Sequence, residues 1–303
     1  MFSTIGQGGG IVEGEAVVRY DTVCGRCVRL RRIDMVVVVE RSWKDLDLDE
    51  VCARAKIIGF DLDNTLAKSK QPMTDAMTGR FTELTHLIPI ALISGGSYGV
   101  VCHQVLDRLD ETADRDDLHV MPTSGTRYYR WNGREWTLVY DHDLDEVDRL
   151  AIVSSLERRA REQGVWEEHV WGDRIEDRGS QITFSALGQW APVEAKRDWD
   201  PDHTRKHRLA LAVQADLPHM LVRTGGMTSV DVSKPGTDKS FAIATLADRL
   251  GIETGQIAFI GDRMDPGGND YPAAVAGAMA LRVSDPEDTL SLCDELIRRL
   301  GTR

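Results

Sequence analysis

The chain has 303 residues, with 37 Lys and Arg against 49 Asp and Glu, a formal net charge of −12, and 42% hydrophobic and 28% charged residues. That balance suits a globular chain long enough for one large domain or two ordinary ones, and it excludes a disordered, collagenous or membrane-spanning protein. An acidic surface repels nucleic acid and anionic membranes, so an anionic substrate would need a local cation cluster or a metal to hold it.

Five cysteines, Cys24, Cys27, Cys52, Cys102 and Cys293, are too few and too scattered for a disulfide framework, which points to a reducing, cytoplasmic setting. Cys24 and Cys27 form a lone C-x-x-C that cannot complete a four-ligand zinc site. Residues 1–34 are poorly patterned, with Gly8, Gly9 and Gly10 early and a basic run from Arg29 to Arg32. The longest early apolar run is Met35–Val39, far short of a membrane span. We expect a weakly ordered extension over 1–49.

From residue 56 the pattern sharpens. Lys56–Phe60 reads as a buried strand and 71–87 as a helix. A second buried strand covers 88–93, a helix 100–109 and a short strand 119–121. This alternation predicts a parallel sheet with crossover helices. The texture then changes. Arg127–Trp131, the turn Asn132-Gly133 and Trp136–Tyr140 read as a hairpin. A charged helix covers 145–163 and carries Arg158 and Arg159 on a solvated face. A half-buried strand covers 180–185, and a helix runs over 201–213. We take 125–222 as an inserted α+β module. The first texture returns with a helix at 240–250, stopped by Gly251, and a buried strand at 257–260. No internal repeat or low-complexity tract is visible.

Chemistry concentrates at the strand ends. Phe60-Asp61-Leu62-Asp63-Asn64-Thr65 places two carboxylates just beyond a buried strand, where open α/β sheets hold ligands. Carboxylates there are costly unless they bind a cation or react. Asp61 can attack phosphorus, Asp63 can move the proton, and Thr65 can tie down the loop backbone. The blander reading is a plain strand-to-turn Asp pair. The second strand ends in Ser94-Gly95-Gly96-Ser97, a hydroxyl with glycine amides suited to phosphate oxygens. Lys239 precedes a helix and can neutralise both nucleophile and phosphoryl group. The last strand runs into Gly261-Asp262, and Asp262 suits Mg2+. Asn269 and Asp270 can form an outer layer around the ion or hold Lys239.

These four signals, D-x-D-x-T, strand-Ser, Lys and G-D-(x)7-D, resemble in order the motifs of the haloacid dehalogenase superfamily. The resemblance covers about residues 56–290. The position of the insert is similar to the large α/β cap class, and the sequence looks closest to the eukaryotic-type phosphomannomutase family. Gly225-Gly226, Ser229-Val-Asp231, Gly236-Thr-Asp-Lys239, Asp265–Asp270 and Ser284–Thr289 carry that likeness. The resemblance implies a doubly wound parallel-sheet α/β core at 50–124 and 223–303, with an α+β cap at 125–222. It implies Asp61 as nucleophile and Asp63 as acid and base, and Mg2+ held by Asp61, the Asp63 carbonyl and Asp262.

The family's substrate residues carry over in part. Its loop Arg falls on Lys70, its first cap Arg on Arg178, and its Ser and Asp on Ser229 and Asp231. Its other two cap arginines fall on Gln189 and Lys196. Ala274 and Ala276 stand where a second cation site of the family has ligands. A mutase must hold a bisphosphate, and bidentate Arg is the best clamp for the second phosphate. Gln189 lacks charge and Lys196 lacks the fork, so we expect a Mg2+-dependent sugar-phosphate phosphatase. A phosphomannomutase is the alternative, and an inactive sugar-phosphate sensor a lesser one. The expected partner is a phosphorylated sugar, with no nucleic acid or membrane, and with a homodimer through the cap. Trp190 and Trp199 are candidates to flank the sugar.

Overall fold

In the computed structural model, residues 42–302 are described. The Cys24–Cys27 pair, the early glycines, the basic run and Met35–Val39 lie outside the described residues. Short apolar runs become buried strands: β1 (Ile57–Phe60), β2 (Ile90–Ile93), β3 (Leu118–Met121) and β10 (Ile257–Gly261) are buried at every position. Both faces of these strands are covered by helices, so nothing forces a polar residue into alternate positions. With β11 (Met279–Arg282) they make the parallel part of a seven-stranded sheet, in the order β11-β10-β1-β2-β3. The chain steps outward one way from β1 to β2 and β3, then returns on the other side through β10. The ends of β1 and β10 therefore form the switch point where such sheets open a crevice.

One face of the sheet packs Phe60, Leu92 and Val120 with Phe81 of α2 (Asp75–Thr85) and Leu296 of α9 (Pro286–Leu300). The other packs Ile57, Ile93 and Phe259 with Ile243 and Leu246 of α7 (Lys239–Leu250). Gly59 makes close strand packing possible, because a Cβ there would lie 2.9 Å from Cδ2 of Phe259.

A second sheet has four antiparallel strands in the order β6-β7-β9-β8, with β6 at Ile175–Asp177, β7 at Gln181–Ser185, β8 at Leu221–Thr224 and β9 at Ser229–Ser233. Ile182, Phe184, Val230 and Val232 bury one face against Ile152 and Leu156 of α4 (Glu146–Glu162) and Leu209 and Val213 of α6 (Thr204–Asp216). Asp216 pins the two helices, accepting from Ser155 Oγ at 2.7 Å, Arg158 Nη2 at 2.6 Å and Arg159 Nη2 at 2.6 Å. Arg158 and Arg159 thus serve the join between the two helices rather than a purely solvated face.

Four expectations shift. The hairpin, β4 (Arg127–Trp131) and β5 (Trp136–Asp141), continues the large sheet antiparallel to β3 and is no part of the small one, because β3 leaves its outer edge free to pair. Ser229–Ser233 joins the small sheet between β7 and β8, although the core was expected from residue 223. Packed chain also begins before residue 50. Trp43 and Leu48 are buried against the core, the Trp43 indole donates to Asp288 at 3.0 Å, and α1 (Leu48–Arg54) follows. The helix expected at 201–213 is α6, running three residues later at both ends, and a short helix not expected, α5 (Val193–Trp199), precedes it. The break falls at Asp200, whose carboxylate accepts from the amides of Arg205 and Lys206 at 2.9 and 3.1 Å. Two short helices complete the list, α3 (Tyr98–Gln104) and α8 (Tyr271–Val275). Among the described residues no helix is long and apolar enough to cross a membrane.

Candidate active site

Asp61 leaves β1 with its amide bonded to Ile260 O of β10 at 2.9 Å, so its backbone still follows the sheet while its side chain enters the switch-point crevice. The side chain is buried, 3% exposed. Asp262 follows β10 directly. Asp270 is carried back by a loop in which its own carboxylate accepts from the Arg263 amide at 2.9 Å. Gly261 makes room for that carboxylate, since a Cβ there would collide with it. One oxygen each of Asp61, Asp262 and Asp270 lie within 4.8 Å of one another.

Lys239, the first residue of α7, is fully enclosed and donates to Asp61 Oδ1 and, at 2.5 Å, to Asp270 Oδ1. Asp270 thus pairs with Lys239 and is also a third carboxylate of the cluster. Asn269 beside it is exposed. Burial works against the Lys239 ammonium, but Asp270 and Asp61 outweigh it and keep it charged. Burial pushes the Asp61 carboxyl up to about 8, aided by Asp270 and Asp262 and opposed by Lys239. Burial and Asp270 likewise raise Asp262 to about 6. Three carboxylates share one ammonium, an excess of negative charge that a divalent cation would relieve. All-oxygen donors on three elements suit a hard ion such as Mg2+.

Asp63 lies one turn of the loop further on. Asn64, at φ 59°, turns the backbone, and Asn64 N donates to Ala67 O at 2.7 Å. The expected Thr65 tether is different: its hydroxyl is buried without a partner among the described residues, and backbone bonds close the loop instead. Asp63 Oδ1 accepts from the Lys70 amide at 2.9 Å and from Gln104 Nε2 at 3.0 Å. Gln104 had no motif to announce it.

Ser94 ends β2, and its Oγ accepts from the Gly96 amide at 3.0 Å. Its loop is stitched to the segment after β3 by Thr123 N to Gly96 O, 2.9 Å, and Ser124 N to Ser94 O, 2.7 Å. Thr123 and Ser124 sit in left-handed backbone at φ 47° and 57° to make these bonds.

Cations come together from the loop after β1, from α5 and from the end of β6. Lys70 Nζ donates to Gln189 Oε1 at 2.6 Å and to Gln189 O at 3.2 Å, and Lys196 Nζ donates to the same carbonyl at 3.1 Å. Burial, then Lys196 and Arg178, lower the Lys70 pKa. Burial lowers that of Lys196, against the pull of Asp63. Arg178 pairs with Glu176 at 2.7 Å and donates to Gly95 O at 3.1 Å, joining the small sheet to the serine loop. Lys70, Lys196, Gln189 and Arg178 therefore gather near Asp63. Ser229 and Asp231 point from β9 toward the Gly225 turn, where a Cβ would lie 2.6 Å from each of their oxygens, and Asp231 accepts from Thr183 Oγ1 at 2.7 Å. Trp199 is buried with its indole bonded to Glu167 at 2.7 Å, which removes it as a sugar flank. Trp190 is exposed, with Lys70 Nζ 5.7 Å from its ring centre.

Comparisons with known proteins bear on the fold and on the family. The family description "Eukaryotic phosphomannomutase" matches residues 169–299. A spinach phosphomannomutase is 25% identical over 253 residues, spanning 81% of this chain and 98% of its own. The Plasmodium falciparum IMP-nucleotidase superposes with TM-score 0.61 at 16% identity, over 84% of this chain and 71% of its own. A haloacid dehalogenase-like hydrolase from Bacteroides thetaiotaomicron gives 0.55 at 15%, over 80% and 99%. At such low identity the two structures speak for the fold alone. In fold this chain is thus similar to haloacid dehalogenase-like hydrolases, and in sequence to the eukaryotic phosphomannomutases.

Proposed function

We propose that this protein is a cation-dependent phosphomutase of hexose phosphates that works through a phosphorylated Asp61. The observation that carries this reading is a pair of charged sites flanking Asp63. On one side are the three carboxylates with Lys239. On the other are Lys70 and Lys196 at Gln189, with Arg178, paired with Glu176, close enough to lower the Lys70 pKa. The first suits a reacting phosphoryl group and the second a phosphate at the far end of the sugar.

The phosphatase expectation rested on Gln189 and Lys196 standing in place of arginines. The backbone carbonyl of Gln189 accepts from both lysine ammonium groups, and its side-chain oxygen accepts from Lys70 as well, so charge for a second phosphate is supplied by lysines. The likeness to phosphomannomutases along nearly their full length also favours the mutase. A phosphatase would not need this second site.

Asp61, Asp262 and Asp270, with the Asp63 carbonyl, would hold Mg2+, which when bound would neutralise charge on the transferring group. Lys239 holds Asp61 in place and adds a positive charge beside the phosphoryl oxygens. Ser94 and the amides after it orient those oxygens. As Asp61 attacks phosphorus, the bond to the sugar oxygen breaks and Asp63 gives that oxygen a proton. In the other half of the cycle Asp63 takes a proton from the free hydroxyl of a hexose monophosphate, that oxygen attacks phosphorus and the bond to Asp61 breaks; the bisphosphate so formed turns end for end and gives its other phosphoryl group to Asp61. Closure of the small sheet over the crevice excludes water from the phosphorylated Asp61.

Mannose 1-phosphate with a trace of hexose 1,6-bisphosphate is the test. Mannose 6-phosphate should accumulate in Mg2+, and Asp61→Asn should abolish it. Free phosphate as the main product would restore the phosphatase reading. No turnover, with ligand binding untouched by Asp61→Asn, would leave only a binding protein.

A further inference from the structure

Resting on that reading of Asp63, we propose that Gln104 is a positioning residue that decides which oxygen of Asp63 carries the substrate proton. Gln104 is the last residue of α3 and is fully buried. Its Nε2 lies 3.0 Å from Asp63 Oδ1, 3.2 Å from Gln71 O and 3.5 Å from Lys68 O. Three oxygens around one terminal atom require the amide nitrogen there. Its backbone carbonyl accepts from the Met73 amide at 2.9 Å, which fixes the end of the helix against the loop after Asp63.

The consequence is asymmetric. Oδ1 of Asp63 already accepts from Gln104 and from the Lys70 amide. A proton placed on Oδ1 would face two donors, so the acid carries its proton on Oδ2. Two donors on one oxygen also fix the rotation of the carboxyl group, and Oδ2 is left to face the leaving sugar oxygen. As the O–P bond breaks and the bond from phosphorus to Asp61 forms, the proton moves from Oδ2 to the sugar oxygen. The return step reverses this. Gln104 Oε1 is meanwhile buried with no partner among the described residues. An unsatisfied acceptor of this kind has a rationale where the other end of the amide serves the chemistry. A residue that only stitched the 68–71 loop would not need to reach Asp63.

The test exploits leaving groups. A sugar oxygen must be protonated to leave, whereas 4-nitrophenolate leaves without a proton. Gln104→Leu should slow the single-turnover conversion of hexose 1,6-bisphosphate to hexose monophosphate, with Asp61 phosphorylated, by roughly 10- to 100-fold, part of the usual worth of a general acid. It should lower kcat/KM for 4-nitrophenyl phosphate by less than about threefold, with KM little changed. Asp63→Asn should show the same selectivity more strongly, and Asp63→Asn with Gln104→Leu should be no worse than Asp63→Asn alone. Equal losses on both substrates, or no loss on either, would overturn the proposal. If Gln104→Leu melts too low to assay, Gln104→Asn keeps the amide one methylene short and should show the same selectivity in smaller measure; a uniform loss there also overturns it. Asp61→Asn is run alongside. If it keeps turnover, the nucleophile reading fails; if it is dead while Gln104 variants show no selectivity, only the positioning role fails.

Discussion

Asp61 shows how one side chain acquires its chemistry. In water a carboxyl of this kind titrates near 3.8, yet burial and the neighbouring Asp270 and Asp262 raise Asp61 to about 8 and Asp262 to about 6. An acid whose folded-state pKa lies above its unfolded value binds extra protons when folded. Without a cation, the stability of the protein should therefore fall as pH rises from about 4 to about 8. A divalent ion removes this penalty and competes with protons for the same oxygens. The rise in melting temperature on adding Mg2+ should thus be larger at about pH 8 than at about pH 5.5. Equal shifts at the two pH values would argue that the carboxylates do not share an ion.

Pairing between elements creates a second, separate pH dependence. The antiparallel register of β3 with β4 sets His119 opposite Arg130. His119 is 3% exposed, and its Nδ1 shares a 2.8 Å bond with the Tyr128 hydroxyl. Burial, then Arg130, push its pKa down from 6.5 to about 3. The fold requires the neutral ring, so the stability it contributes is complete above pH 6.5 and is lost progressively as pH falls toward 3. Between pH 6.5 and about pH 5 the loss from this group is on the order of 2 kcal/mol. His119→Gln, measured by urea unfolding at both pH values, should flatten that limb even if it lowers stability overall. An unchanged slope would place the acid sensitivity elsewhere. The same edge of β3 explains the hairpin. Alternation marked two strands and a tight turn correctly, but only the free edge of the large sheet decided which sheet they joined.

Across the whole molecule, the crevice is shared by two sheets with separate apolar cores. Arg178 spans them, leaving β6 to donate to Gly95 O in the serine loop. An arginine in this position can exchange a carbonyl for a phosphate without leaving the crevice. Arg178→Met should weaken binding of hexose 1,6-bisphosphate by roughly 10- to 100-fold while leaving 4-nitrophenyl phosphate turnover nearly intact. Inhibition constants for the bisphosphate and KM for the aryl ester would check this. Equal weakening of both would mean that Arg178 serves the fold alone.

Local chemistry made much of this protein legible in one dimension. Apolar runs ending in Asp61, Ser94 and Asp262 announced a parallel sheet with polar strand ends, because burial on both faces leaves a strand no other composition. The spacing of Asp262 and Asp270 likewise marked a loop returning to the site. What lay beyond the sequence were contacts between distant segments. Gln104 looks like any helical polar residue until folding brings it to Asp63, 41 positions away. Lys70 and Lys196 could be assigned to the substrate only by resemblance; that both reach the one carbonyl of Gln189 is decided by the fold. β9 reads as core chain until β7 pairs with it. Periodicity and strand-end residues are fixed by neighbours along the chain. The partner of a strand edge, or of a buried amide, is chosen by packing across it.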